Sequence, residues 1–134
     1  MTSKVIYQGN LRTEAEHLKS GNKIYTDAPT DNNGKGEAFS PTDLVATGLA
    51  SCMLTIMGIK ARDAEIDMEG ATAEVTKIME SNPRRISKIV VTVIMPAKNY
   101  TDKEKKILEK AAHHCPVFNS LSTNLEEEVT FQWN

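Results

Sequence analysis

Residues 40–62 read SPTDLVATGLASCMLTIMGIKAR, and the way this stretch folds decides the rest of the chain. Ser40 can act as a helix N-cap, Pro41 suits the first helical position because its missing N–H would be unpaired there anyway, and Asp43 closes a capping box on Ser40. Leu44, Val45, Leu49, Cys52, Met53, Ile56 and Ile59 then recur at helical spacing. Ala46, Gly48, Ala50 and Ser51 are small enough for another element to approach closely. The pattern predicts one long helix that belongs in a core; at about 1.5 Å per residue it crosses a small domain from side to side.

Upstream, Ser3–Gln8, Leu11–Leu18 and Lys23–Asp27 read as short strands separated by the turn signals Gly9-Asn10 and Ser20-Gly21-Asn22, an antiparallel meander. The run APTDNNGKG at 28–36 has no apolar period and is a loop delivering the chain to the helix. Downstream the period shortens toward two. Ile66–Met79 and Ile86–Met95 are β-rich and flank the turn SNPRR, which predicts a hairpin. Thr101 and Glu104 form a second capping box ahead of the stripe Ile107, Leu108, Ala111 and Ala112, and that helix is expected to end near His113-His114-Cys115-Pro116. Pro116 then opens a short helix through Val117, Phe118 and Leu121, and 128–134 alternates as a closing strand. Clustered strands with short turns imply α+β with antiparallel pairing, not βαβ repeats.

A chain of 134 residues predicts a single domain over 1–134, and 40% hydrophobic with 25% charged residues is ordinary globular composition. A net charge of −2 supplies no basic footprint for nucleic acid and no polybasic face for a membrane. The N-terminus lacks a signal-peptide core, and Leu44–Ile59 falls short of the roughly 20 apolar residues a bilayer needs, so the expectation is a cytoplasmic protein. The long apolar helix, with few partners in so small a chain, suggests a dimer in which two such helices help cover one another.

Two cysteines could carry chemistry. Cys52 lies on the apolar face of the long helix, where a free cysteine often serves as a small hydrophobe. Cys115 precedes a helix N-terminus, which predicts a lowered thiol pKa and makes a peroxidatic and resolving pair a serious alternative. A metal site from His113, His114 and the cysteines has little support, because adjacent helical histidines diverge and no CxxC or HxxxH spacing exists. No cofactor motif is present.

The segments SPTDLVATGLASC and HHCPVFNSL, with NPRRISKI between them, resemble the OsmC-like family, which includes osmotically inducible protein C and the organic hydroperoxide resistance proteins. The resemblance covers nearly the whole chain. It implies an intertwined α+β homodimer with two active sites, each reducing organic hydroperoxides through two cysteines: Cys52 as peroxidatic thiolate and Cys115 as resolving thiol. It further implies an external dithiol reductant, with a lipoyl protein as one candidate, and an arginine of the opening strands, here Arg12, that stabilises the thiolate. Peroxidase members carry Glu where Thr42 stands; Asp43 and Glu37 are the expected substitutes for it. Leu49, Met53, Met57 and Phe118 are candidates for an apolar substrate pocket, and Arg84 and Arg85 for surface or dimer contacts. The competing function is a non-catalytic OsmC-like protein that binds a small apolar ligand or partner at the dimer interface.

Overall fold

A computed structural model describes residues 1–134, and the chain divides into two compact units, Met1–Val45 and Ala46–Asn134. In the first, β1 (Ser3–Gly9), β2 (Arg12–His17) and β3 (Lys23–Asp27) form an antiparallel sheet in sequence order. Asn10 and Leu11, with φ of 54° and 61°, make the two-residue turn between β1 and β2; positive φ at both positions gives the turn a twist that matches its strands. The following loop closes on itself through Gly34 N–H to the Pro29 carbonyl and Gly36 N–H to the Ala28 carbonyl. A Cβ on Gly34 would fall 1.7 Å from the Ala28 carbonyl oxygen, so no other residue fits there.

The helix α1 (Pro41–Asp63) starts as the sequence predicts. The Asp43 amide donates to Ser40 Oγ at 3.1 Å while the Ser40 amide donates to Asp43 Oδ2 at 2.9 Å, a complete capping box. With 23 residues, and a mean hydropathy of 1.6 over its most apolar 18-residue window, α1 is longer than the apolar run suggested and would suffice, by length and composition, to cross a membrane. One face of it is committed elsewhere: Ala46, Leu49, Ala50, Met53, Met57 and Ala61, at i, i+3, i+4, i+7 spacing, are buried in the core of the second unit.

That core is completed by β4 (Thr72–Glu80), β5 (Arg85–Ile94), α2 (Asp102–Ala112), α3 (Pro116–Asn119) and β6 (Glu126–Gln132). β5 is the central strand of the sheet and sends Ile89, Val91 and Val93 inward, all fully buried. The Thr101–Glu104 capping box forms in both directions at the start of α2. Two sequence expectations change. Residues 66–71 are not strand: Glu69 N–H folds back onto Asp67 Oδ1, and Gly70 at φ 94° turns the chain. Asp67 is then tied to Lys98 by an ion pair, and its carbonyl accepts from the Tyr100 hydroxyl at 2.7 Å, so the segment brackets two loops instead of lengthening β4. The second change is direction. β4 and β5 pair antiparallel as a hairpin, but β6 lies parallel to β5, from Lys88↔Glu126 to Ile94↔Gln132. A parallel neighbour needs a crossover, and α2 with α3 supplies it. The architecture is α+β, with one parallel pair in otherwise antiparallel sheets.

Candidate functional site

Cys52 and Cys115, 63 positions apart in sequence, meet in the second unit. Cys52 occupies the half-buried flank of α1, one turn beyond Leu49; Cys115 is the N-cap residue of α3 and is 1% exposed. Both are free thiols close enough to interact, and Cys115 Sγ lies 4.0 Å from the Leu49 carbonyl oxygen, where it can donate. The crossover places the pair: α2 ends at Ala112, Pro116 starts α3 with an amide that needs no partner, and Cys115 is held at the break between them.

The electrostatics of Cys115 run against the sequence expectation. The amides of Val117 and Phe118 point at its sulfur and favour the thiolate, as a helix start should. Burial outweighs them, with a further upward push from the neighbouring Cys52, so the Cys115 pKa is raised instead of lowered. Cys115 therefore holds its proton more firmly than an ordinary thiol, and Cys52 is the more accessible sulfur.

The polar residues expected to assist lie in the first unit. Arg12 and Asp27 are directly opposed across β2 and β3. Arg12 donates from Nε to Asp27 Oδ1 at 2.7 Å and from Nη2 to Asp27 Oδ2 at 2.8 Å, a two-pronged pair, with a longer contact to Glu37 Oε1 at 3.4 Å. Asp27 is 1% exposed and also accepts from the Glu37 amide at 3.1 Å. The guanidinium holds the Asp27 carboxyl below the usual carboxylate range, and Asp27 in turn raises the Arg12 pKa. Of the two carboxylates proposed for this role from sequence, Glu37 touches Arg12 weakly and Asp43 serves as the helix cap. Asp27 was missed because strand register, which a one-residue change in turn length shifts, decides what faces Arg12. Pairing His17 with Asn22 at the hairpin end places Asp27 there.

Leu49, Met53 and Met57 are fully buried core residues; Phe118 is half-buried against that core. The two histidines diverge. His113 rests edge-on to Phe131 and 3.7 Å from Glu127, whereas His114 faces the opposite groove beside α1. Arg85 binds Glu80 at 2.7 Å within its own hairpin.

A model of the OsmC-like protein family matches residues 34–130, a span that holds α1, both cysteines and their crossover. The chain belongs to the OsmC-like family. A crystal structure from Psychrobacter arcticus 273-4, provisionally described as an osmotic stress induced and detoxification response protein, is 56% identical, with a TM-score of 0.94 over 98% of this chain and 95% of that one. An uncharacterized protein of Methanocaldococcus jannaschii is 32% identical over 74% of this chain; the chain spans about half, 54%, of that relative's length. An organic hydroperoxide resistance protein of Legionella pneumophila, at 18% identity and a TM-score of 0.76 over 98% of this chain and 97% of that one, has the same fold. The OsmC-like fold inferred from the two cysteine contexts is thus the fold adopted.

Proposed function

We propose that the chain is a thiol peroxidase of the OsmC-like family that reduces organic hydroperoxides through Cys52 and Cys115. The observation that carries this reading is the pairing of one half-accessible sulfur with one buried, proton-retaining sulfur within reach of it. The Cys52 thiolate attacks the O–O bond of the hydroperoxide; one oxygen stays on sulfur as a sulfenic acid and the other leaves, with a proton, as the alcohol. Cys115 then condenses with the sulfenic acid, forming the S–S bond and releasing water, and an external dithiol, with a lipoyl protein as one candidate, returns both sulfurs to thiols by exchange. A protonated Cys115 suits this order, because it does not compete for peroxide before Cys52 has reacted.

The resemblance assigns thiolate stabilisation to Arg12. Its two-pronged attachment to a buried carboxylate supports a fixed, functional cation over a solvated one. The working state needs reduced thiols, which fits a reducing compartment such as the cytoplasm. The exposed apolar side chains of the first unit, among them Val5, Tyr7 and Ile24 on one sheet face, support the homodimer the family resemblance implies. Light scattering should return twice the chain mass.

Two serine variants test the chemistry. Cys52→Ser should abolish consumption of an organic hydroperoxide with dithiol present. Cys115→Ser should react once and accumulate a trappable sulfenic acid that over-oxidises. A sulfenic acid trapped on Cys115 in the Cys52→Ser protein, with none on Cys52 in the reciprocal variant, reverses the assignment. Thr42, standing where peroxidase members carry Glu, favours the second reading, a non-catalytic ligand-binding protein; wild-type protein that consumes no hydroperoxide decides for it.

A further inference from the structure

Between α1 and α2 runs an apolar trough of about 520 Å³, a size typical of small-molecule sites. Ile56 and Ile59 of α1 and Ile107 of α2 form its floor; Lys60, Lys110 and His114 stand along its rim. Ile59 is 45% exposed, an apolar surface left uncovered on a helix whose other face is fully packed. No carboxylate lines the trough. Two of the three acidic residues of α2 are engaged away from it, Glu104 in the capping box with Thr101 and Glu109 accepting from Trp133 Nε1 at 2.8 Å, and the third, Asp102, opens the helix at its far end. Lys23, Lys88 and Lys98 each pair with a carboxylate, whereas neither Lys60 nor Lys110 has a carboxylate partner.

Helix polarity alone favours a lysine in each last turn, where Lys60 and Lys110 sit. It does not require both to overhang the same apolar floor, nor does it explain the lack of any acidic residue there. Lysine stems cover apolar surface while their ammonium groups remain mobile, so two of them can converge on one anion.

We infer that this trough binds a carboxylate-bearing amphiphile, its acyl chain on Ile56, Ile59 and Ile107 and its carboxylate between Lys60 and Lys110. The isoleucine floor sets the chemistry of the tail, since it offers no hydrogen-bond partner to a polar one. The rim sets the chemistry of the head: a neutral head forgoes both charges, and a cationic head meets like charge. The inference concerns binding and stands apart from the thiol chemistry, although Ile56 lies one helical turn beyond Cys52 on α1.

The test uses the full chain carrying Cys52→Ser and Cys115→Ser, so that no redox reaction contributes, titrated with 11-(dansylamino)undecanoic acid and with its methyl ester. Saturable fluorescence enhancement is expected with the acid, displaced by decanoate, and at least tenfold weaker binding of the ester. Adding Lys60→Gln and Lys110→Gln should remove the preference for the acid while leaving circular dichroism unchanged, and raised salt should weaken the acid alone. Absence of saturable binding, equal affinity for acid and ester, or a preference that survives loss of both lysines overturns the proposal. A trough closed by a second copy of the chain gives the first of these results. Because the thiols are absent throughout, failure here leaves the peroxidase reading to its own assay.

Discussion

The two units invert each other's burial. In Ala46–Asn134 the buried residues are apolar, with Leu49, Met53, Met57, Ile89, Val91, Val93 and Leu108 at 0% exposure. In Met1–Val45 the buried residues are Thr26, Asp27 and Ser40, while Val5, Ile6, Tyr7, Ile24, Tyr25 and Phe39 are exposed. The second unit is therefore held by the hydrophobic effect, and the first by strand pairing and one carboxylate–guanidinium pair. The difference teaches where each is vulnerable. The second should respond to lost volume, and the first to lost charge and to acid.

The largest effect expected from this contrast is in the apolar core. Leu49→Ala removes a fully buried side chain and should cost about 2–5 kcal/mol in denaturant unfolding. Val5→Ser on the first unit should leave that midpoint nearly unchanged and act on dimer mass instead. Equal losses from both would erase the distinction. Next comes Asp27→Asn, which leaves the Arg12 guanidinium without its two-pronged acceptor. A smaller but clear fall in thermal midpoint is expected, and it should depend on pH. The folded-state pKa of Asp27 is depressed, so its contribution is complete above the unfolded value of about 3.9 and disappears as pH falls through the lower folded value. The midpoints of wild type and Asp27→Asn should converge in that acid range; a pH-independent gap would mean that packing, not charge, explains the loss.

Ser40→Ala removes the cap at the start of α1 and should cost about 1 kcal/mol, readable as a lower thermal midpoint with Cys52 alkylation unchanged. The smallest effect sharpens the contrast from the other side, because the second unit contains one polar residue out of character. Glu127 faces inward beside Ile89, its side chain 9% exposed, and burial raises its pKa against the weaker opposing influence of His113. A raised acid pKa means the folded state prefers the protonated form, so the penalty is absent below the unfolded value and grows as pH rises through the folded one. Glu127→Gln should raise the midpoint by about 2 °C at neutral pH and not at pH 4. A neutral-pH midpoint that falls would show that the carboxylate contributes through His113.

Much of this was legible from local signals. Both capping boxes are four-residue patterns whose chemistry is complete within themselves, and each fixed a helix start correctly. The Cys52 and Cys115 contexts identified the fold because Cys52 follows the capping box that opens α1 and Cys115 sits at the proline-marked break between α2 and α3. What local reading could not supply was anything decided across the chain. The Arg12–Asp27 pairing depends on hairpin register, the direction of β6 depends on where a crossover returns, and the raised pKa of Cys115 depends on how much of the core closes over it. Leu49, Met53 and Met57 illustrate the same limit: helical periodicity marks an apolar face without saying whether that face meets protein or substrate.

The parallel pairing of β6 with β5 has a consequence for how the protein is made. The ribosome delivers Cys52 first, then Cys115, and only afterwards the strand that anchors the far end of the crossover. Until β6 inserts beside β5, the segment carrying Cys115 is tethered at one end only. Completion of the thiol centre is thus vectorial: the crossover that carries Cys115 is held at both ends only when the strand beyond it docks.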